Sequence, residues 1–273
     1  MMQNFSLSPK GMLKSFWSNR GLILALTERE VIGRYKGSFL GIMWSLFNPL
    51  LMLTIYTFFF STVFKARWPG GSDSKTEFAL ILFSGLLIFN FFSENLGRAP
   101  SLIVGNVNYV KKVVFPLEIM GFVLVASAGF HFLASMVIWL LFYFIFFGLP
   151  SVQALYFPFI LIPLIFLAMG CTWFLSSLGV YLRDVNQVVT AAIPALMFLS
   201  PVFFPISALP EQLHVIFQLN PLTFLIEEAR GVLIWKQNIH WNHWFLETAF
   251  SGVFAWLGYV WFQKTRRGFA DVL

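Results

Sequence analysis

The sequence predicts an all-α integral membrane protein with six transmembrane helices, an N-terminal amphipathic helix at the interface, and re-entrant helices before the last span. Three observations carry that expectation. The chain is 58% hydrophobic and only 11% charged, which leaves too little polar surface for a soluble globule. Uncharged runs recur along it, and the 31 residues from Ile119 to Leu149, at about 1.5 Å each, outreach a hydrocarbon core of roughly 30 Å. The 18 Lys and Arg sit in short segments flanking these runs, so the net charge of +6 reads as positive-inside topology and not as a nucleic-acid surface.

Residues 1–36 read as a cytosolic tail and an amphipathic helix. Thr27 and Glu30 have capping-box spacing, so this helix is expected to start at Thr27, with Val31, Ile32 and Tyr35 on an apolar flank beside Arg29, Arg34 and Lys36. Such a helix lies along a membrane surface. The first span, 37–64, holds 25 consecutive residues from Leu40 without Asp, Glu, Lys or Arg, and it begins too far into the chain for a removable signal peptide. Lys65 to Glu77 carries Pro69, Gly70, Gly71 and five charges, an external turn. The second span, 78–97, ends at Glu94 and Arg98, whose four-residue spacing pairs them on one helix face.

The connector 98–116 sets Lys111 and Lys112 among apolar residues from Leu102 to Val110, a short amphipathic helix on the cytosolic side. The third span, 117–149, is longer than a bilayer needs and should tilt. After a turn at Gly148, Pro150 and Ser151, the fourth span, 154–182, carries Pro158 and Pro163 near its outer end and stops at Arg183 and Asp184 in the segment 183–187. Pro194, Pro201 and Pro205 make the fifth span, 188–205, kinked or short. Residues 206–241 are too broken to span yet too apolar for a free loop, which fits re-entrant helices shielded by protein. The last span is 244–263, closed by Lys264, Arg266 and Arg267. No internal repeat is read. With this arrangement 13 of the 18 basic residues fall on the cytosolic side, together with both termini.

Motifs for chemistry are weak. Gly70, Lys75 and Thr76 echo a phosphate loop, but Ser74 stands where glycine should precede the lysine, and Lys75 is one residue too close to Gly70. ATP hydrolysis is therefore expected on another chain. His240 and His243 lack a third ligand and read as part of an aromatic interface belt, while Cys171, alone in an apolar run, reads as packing. His131 in the third span is expected to make a helix–helix hydrogen bond. Glu227 and Glu228 are adjacent and cannot face each other, so ion pairing with Arg230 is preferred over acid–base work. Trp44, Tyr56, Phe59 and Phe60 in the first span, with Phe198, Phe203 and Phe204 in the fifth, either meet lipid or form rings along a path for sugars, whose C–H faces stack on aromatic faces.

Five separated stretches, REVIGRYKGSFLGIMWSLFNPL, NVNYVKKVVFPLEI, LGVYLRDVNQV, SPVFFP and NPLTFLIEEAR, together resemble the membrane subunits of type-2 ABC exporters for lipid-linked polysaccharides, the O-antigen, capsule and teichoic-acid exporters. The resemblance covers nearly the whole chain. It implies a homodimer in the bacterial inner membrane with two cytosolic ATPase subunits, which hold the ATP and Mg; no cofactor is expected in this chain. It implies ATPase docking on the 102–112 segment, with Val107, Tyr109 and Lys111, and on Arg183 and Asp184. It implies that the interface helix gates access for an undecaprenyl-pyrophosphate-linked polymer, and that the first and fifth spans line the channel. Arg29, Arg34, Tyr35 and Lys36 are where a pyrophosphate would be met, although a purely topogenic role for the cations fits equally. A small-molecule exporter, or a membrane-embedded glycosyl or acyl transferase, are the alternatives.

Overall fold

The structure, a computed structural model, describes residues 6–63, 68, 74–111 and 115–273. Among them five helices are long and apolar enough to cross a membrane: Gly41–Phe60, Lys75–Ser101, Ile119–Phe147, Val152–Tyr181 and Trp241–Val272. The protein is therefore an all-α, multi-spanning membrane protein. Most of the external turn expected at 65–77, with Lys65 and Arg67, lies outside the described residues, as does Lys112.

Helix α1 (Pro9–Ser18) is capped by the Ser8 hydroxyl, which accepts from Gly11 N at 3.0 Å, and α2 (Arg20–Tyr35) follows directly. This corrects two expectations. The segment before residue 21 is helical, and Thr27 lies inside a helix instead of capping one. Its spacing to Glu30 is local, and Ile23 and Leu26, both buried before it, carry the helix back to Arg20. Gly37, at φ 84°, ends α2 in the left-handed conformation that favours glycine, and Gly41, at φ 52°, opens the first apolar helix. That helix comprises α3 (Trp44–Thr57), with Pro49 inside it, and a wide turn over Phe58–Val63.

Helix α4 (Lys75–Arg98) is the axis of the molecule. It is apolar on all sides, with Phe78, Leu82, Leu87, Ile88 and Phe92 buried, and a helix of that kind must be surrounded. It touches α3, α6 (Ile119–Phe147), α7 (Phe157–Tyr181), α8 (Val185–Phe198) and α10 (Pro221–Leu233). The connector after α4 is not the continuous amphipathic helix expected over 102–112; it is a pair of tight turns and one short helix, α5 (Val107–Val110). Pro100 and Gly105 favour turns over an uninterrupted helix.

Helices α7 and α11 (Trp241–Thr265) pack closely because Gly258 lies against the Gly170 backbone, where a Cβ would collide. Helix α8 ends at Phe198, short of the expected 205: Ser200 precedes Pro201 and is biased away from helix, and the chain turns through 200–204. Helix α9 (Glu211–Gln218) and α10 follow. One junction ties the terminal segments. Glu118, just before α6, accepts from Ser15 of α1 at 2.9 Å and from Arg266, just after α11, at 2.5 Å. A short helix, α12 (Phe269–Val272), closes the chain.

Candidate functional site

Where α2 lies against α4, four side chains pair crosswise. Glu30 meets Arg98 and Arg34 meets Glu94, while Glu94 and Arg98 are also joined within α4 at 3.2 Å. Each helix thus presents a Glu and, four residues later, an Arg, and the antiparallel arrangement brings each acid to the other helix's base. His131 of α6 places Nδ1 2.9 Å from Glu94, and Arg98 reaches the Ser127 hydroxyl at 3.4 Å. The expected helix–helix bond of His131 and the Glu94–Arg98 pair are both present. The cross-pairing was not foreseen, although one signal for it stands in the sequence: residues 30–34 and 94–98 both read Glu-x-x-Gly-Arg.

Beside this square is a groove of about 220 Å³ between the end of α2 and helices α3, α4 and α6, lined by Arg34, Tyr35, Trp44, Asn48, Asn90 and Ser135 among others. Burial pushes the Tyr35 phenol up, so it stays a neutral donor. Arg29 faces the other way. It donates to the Tyr109 hydroxyl at 2.7 Å, with its guanidinium 5.7 Å from that ring, and Tyr109 stacks on Phe115. A residue expected to meet lipid phosphate thus contacts one expected to meet the ATPase. Lys36 is exposed beyond the end of α2, as are Lys111, Arg183 and Asp184 at their turns; Val107 is half-buried.

The aromatic set divides. Tyr56, Phe60 and Phe198 converge on Phe203, with ring centroids 5.3, 4.5 and 5.7 Å away, so four of the seven rings form one cluster between α3 and the turn after α8. Phe59 is exposed beside Phe58, Phe204 packs on Phe217 of α9, and Trp44 lies in the groove by α2. They do not form a single ring within one copy of the chain.

Arg230, expected to pair with a neighbouring acid, has further partners. It is 1% exposed and donates to the carbonyls of Ile81, Pro201 and Val202, at 3.3, 2.5 and 2.7 Å, and to Glu227 at 3.1 Å. The Trp68 ring covers its guanidinium at 4.2 Å. Burial lowers its pKa to about 10, which leaves it charged at neutral pH. Glu228 turns instead to His240 Nδ1, at 2.6 Å, and His243 stacks on Phe224. Among the described residues no group of three or more His, Cys, Asp or Glu is placed to hold a metal.

Long apolar helices around a buried axial helix, with a charged side-chain cluster where α2 meets α4, define a multi-pass membrane protein. Residues 21–234 match the ABC-2 type transporter family, and the chain belongs to it. It is similar over 95% of its length to 98% of the O-antigen export system permease protein RfbA of Myxococcus xanthus, at 25% identity. It is also similar over 92% of its length to 95% of a protein of the same name from Klebsiella pneumoniae, at 27% identity.

Proposed function

We propose that this chain is the permease subunit of an ABC exporter that carries an undecaprenyl-pyrophosphate-linked polysaccharide of O-antigen type across the bacterial inner membrane. Two copies enclose the path, and ATP is hydrolysed on two cytosolic partner chains. The observation that carries this reading is the end-to-end similarity to permeases named for O-antigen export. Six crossings and cytosolic termini are part of it. Five crossings would separate the chain's ends, whereas Ser15 and Arg266 share Glu118; α8 with its 200–204 turn supplies the sixth.

The square at α2 is the entrance latch. In the resting chain Glu94 and Glu30 occupy the guanidinium groups of Arg34 and Arg98, and a pyrophosphate, with more charge and more acceptor oxygens, competes for the same donors. Arg29 and Tyr109 join α2 to the docking segment α5, so a push from the ATPase reaches the latch directly. The cluster around Phe203 marks where the first and fifth apolar helices part to admit sugars.

The test is purification of the C-terminally tagged chain in mild detergent, alongside deletion of its gene. An ABC ATPase at one-to-one stoichiometry, and lipid-linked polymer accumulating inside deletion cells, is the expected result. A lone chain and unchanged surface polysaccharide would overturn the reading.

A further inference from the structure

A second cavity, of about 340 Å³, lies at the far end of α4 from the α2 latch, where Arg230 ties α10 to the turn after α8. We propose that it is a saccharide-binding subsite at the channel's external mouth, with Trp235 as a stacking platform and Glu227, Gln237, Ser207 and His240 as hydrogen-bonding groups. The proposal rests on the permease reading and adds to it a place where the polymer is held as it leaves.

Its size is that of a small-molecule site, for which roughly 300 to 1,000 Å³ is usual. Its chemistry is that of a sugar. A pyranose offers an apolar C–H face to an indole and a rim of hydroxyls that both donate and accept, and this wall supplies a carboxylate, an amide, a hydroxyl and an imidazole around two Trp rings. Several of these groups are held ready. Glu227 binds Arg230 through one oxygen and is 39% exposed, so its other oxygen is open to a ligand. His240 is fixed at Nδ1 by Glu228, and its ring is 66% exposed. Trp68 is 7% exposed, and its indole N–H has no partner among the described residues.

The backbone adds an independent observation. Lys236 has φ 55°, and among the described residues it alone, apart from glycines, has a positive φ. That conformation is unfavourable for a residue with a Cβ, and the turn it makes sets Trp235 and Gln237 on the same cavity. Strain of this kind persists where the surrounding structure demands a particular placement. The cavity also adjoins the proposed path, because Pro205 in its wall follows Phe203 and Phe204 directly.

The intact complex with its ATPase, in lipid nanodiscs, is titrated with end-labelled polysaccharide released by mild acid from the source strain's lipopolysaccharide, and thermophoresis reads binding. Wild type should saturate, Trp235→Leu should weaken binding about tenfold, and Trp235→Phe, which keeps a ring face, should stay within about threefold. Glu227→Gln and Gln237→Ala, each expected to weaken binding several-fold, serve if Trp235→Leu does not assemble. Unchanged affinity in all the assembled variants, with wild-type export intact in cells, overturns the subsite and leaves the permease reading standing. Absence of both an ATPase partner and an export defect on gene deletion overturns the two together.

Discussion

Two arginine-centred clusters sit at opposite ends of α4, and they are built differently. At the α2 end the partners are all side chains and are partly open to solvent, Arg34 at 46%, Arg98 at 31%, Glu30 at 25% and Glu94 at 17%. At the α10 end Arg230 is enclosed, and three of its acceptors are backbone carbonyls that cannot swing away. Ion pairs that keep such contact with water contribute about 1 kcal/mol each and can exchange for another anion. A buried guanidinium clasped by the main chain is exchanged only by unfolding its surroundings. The difference separates the two ends: the side-chain pairs that join α2 to α4 can exchange partners, whereas the carbonyl clasp that holds α10 cannot.

Arg230→Met tests the fixed end and should have the largest effect. It removes the guanidinium from the Pro201 and Val202 carbonyls and from that of Ile81, which keeps the Ser84 hydroxyl, at an expected cost of about 3–5 kcal/mol, and thermal unfolding in detergent should show a collapsed midpoint or no folded protein. Arg230→Lys should not rescue it, because an ammonium lacks the fork that reaches separate carbonyls. A midpoint close to wild type would erase the contrast between the two ends.

Glu94→Ala removes the acid shared by Arg34, Arg98 and His131. About 1 kcal/mol of α2 attachment should be lost, seen as faster amide hydrogen exchange over residues 20–35 with the core of α4 unchanged. The paired reversal Arg34→Glu with Glu94→Arg should recover part of that protection. Gly37→Ala acts on the joint between α2 and α3: a Cβ at φ 84° costs about 1 kcal/mol, which should appear as a small fall in midpoint. Thr27→Ala should be smallest, within about 0.5 kcal/mol, because its hydroxyl is buried inside a helix without a partner among the described residues; a loss of about 1 kcal/mol or more would restore it to a capping role.

The long helices were legible because nothing but a span accommodates runs such as Ile119 to Leu149. Their breaks were less so. The three prolines around α8 announced a short helix, but its end at Phe198 depends on how 200–204 folds back to meet Arg230 and Asn220. Thr27 and Glu30 matched a four-residue pattern that helix interiors also contain, so a local motif lost to the longer apolar stretch before it. At the site, Glu94–Arg98 was readable because both lie on one helix. The pairing of Glu30, and the identity of the partner His131 bonds, were not, since nothing local says which helices become neighbours. Arg230 is the plainest omission: a cation within three residues of two acids invites an ion-pair reading, and its carbonyl partners come from residues 28 to 149 positions away.

Glu118 has a bearing on how the chain is made. Its carboxylate is 12% exposed, and its cationic partner, Arg266, emerges from the ribosome 148 residues after it. Until then the early half of the protein carries an unneutralised acid at the membrane boundary, a cost that Ser15 relieves only in part. Synthesis that stops short of residue 266 therefore releases a chain electrically incomplete at its base.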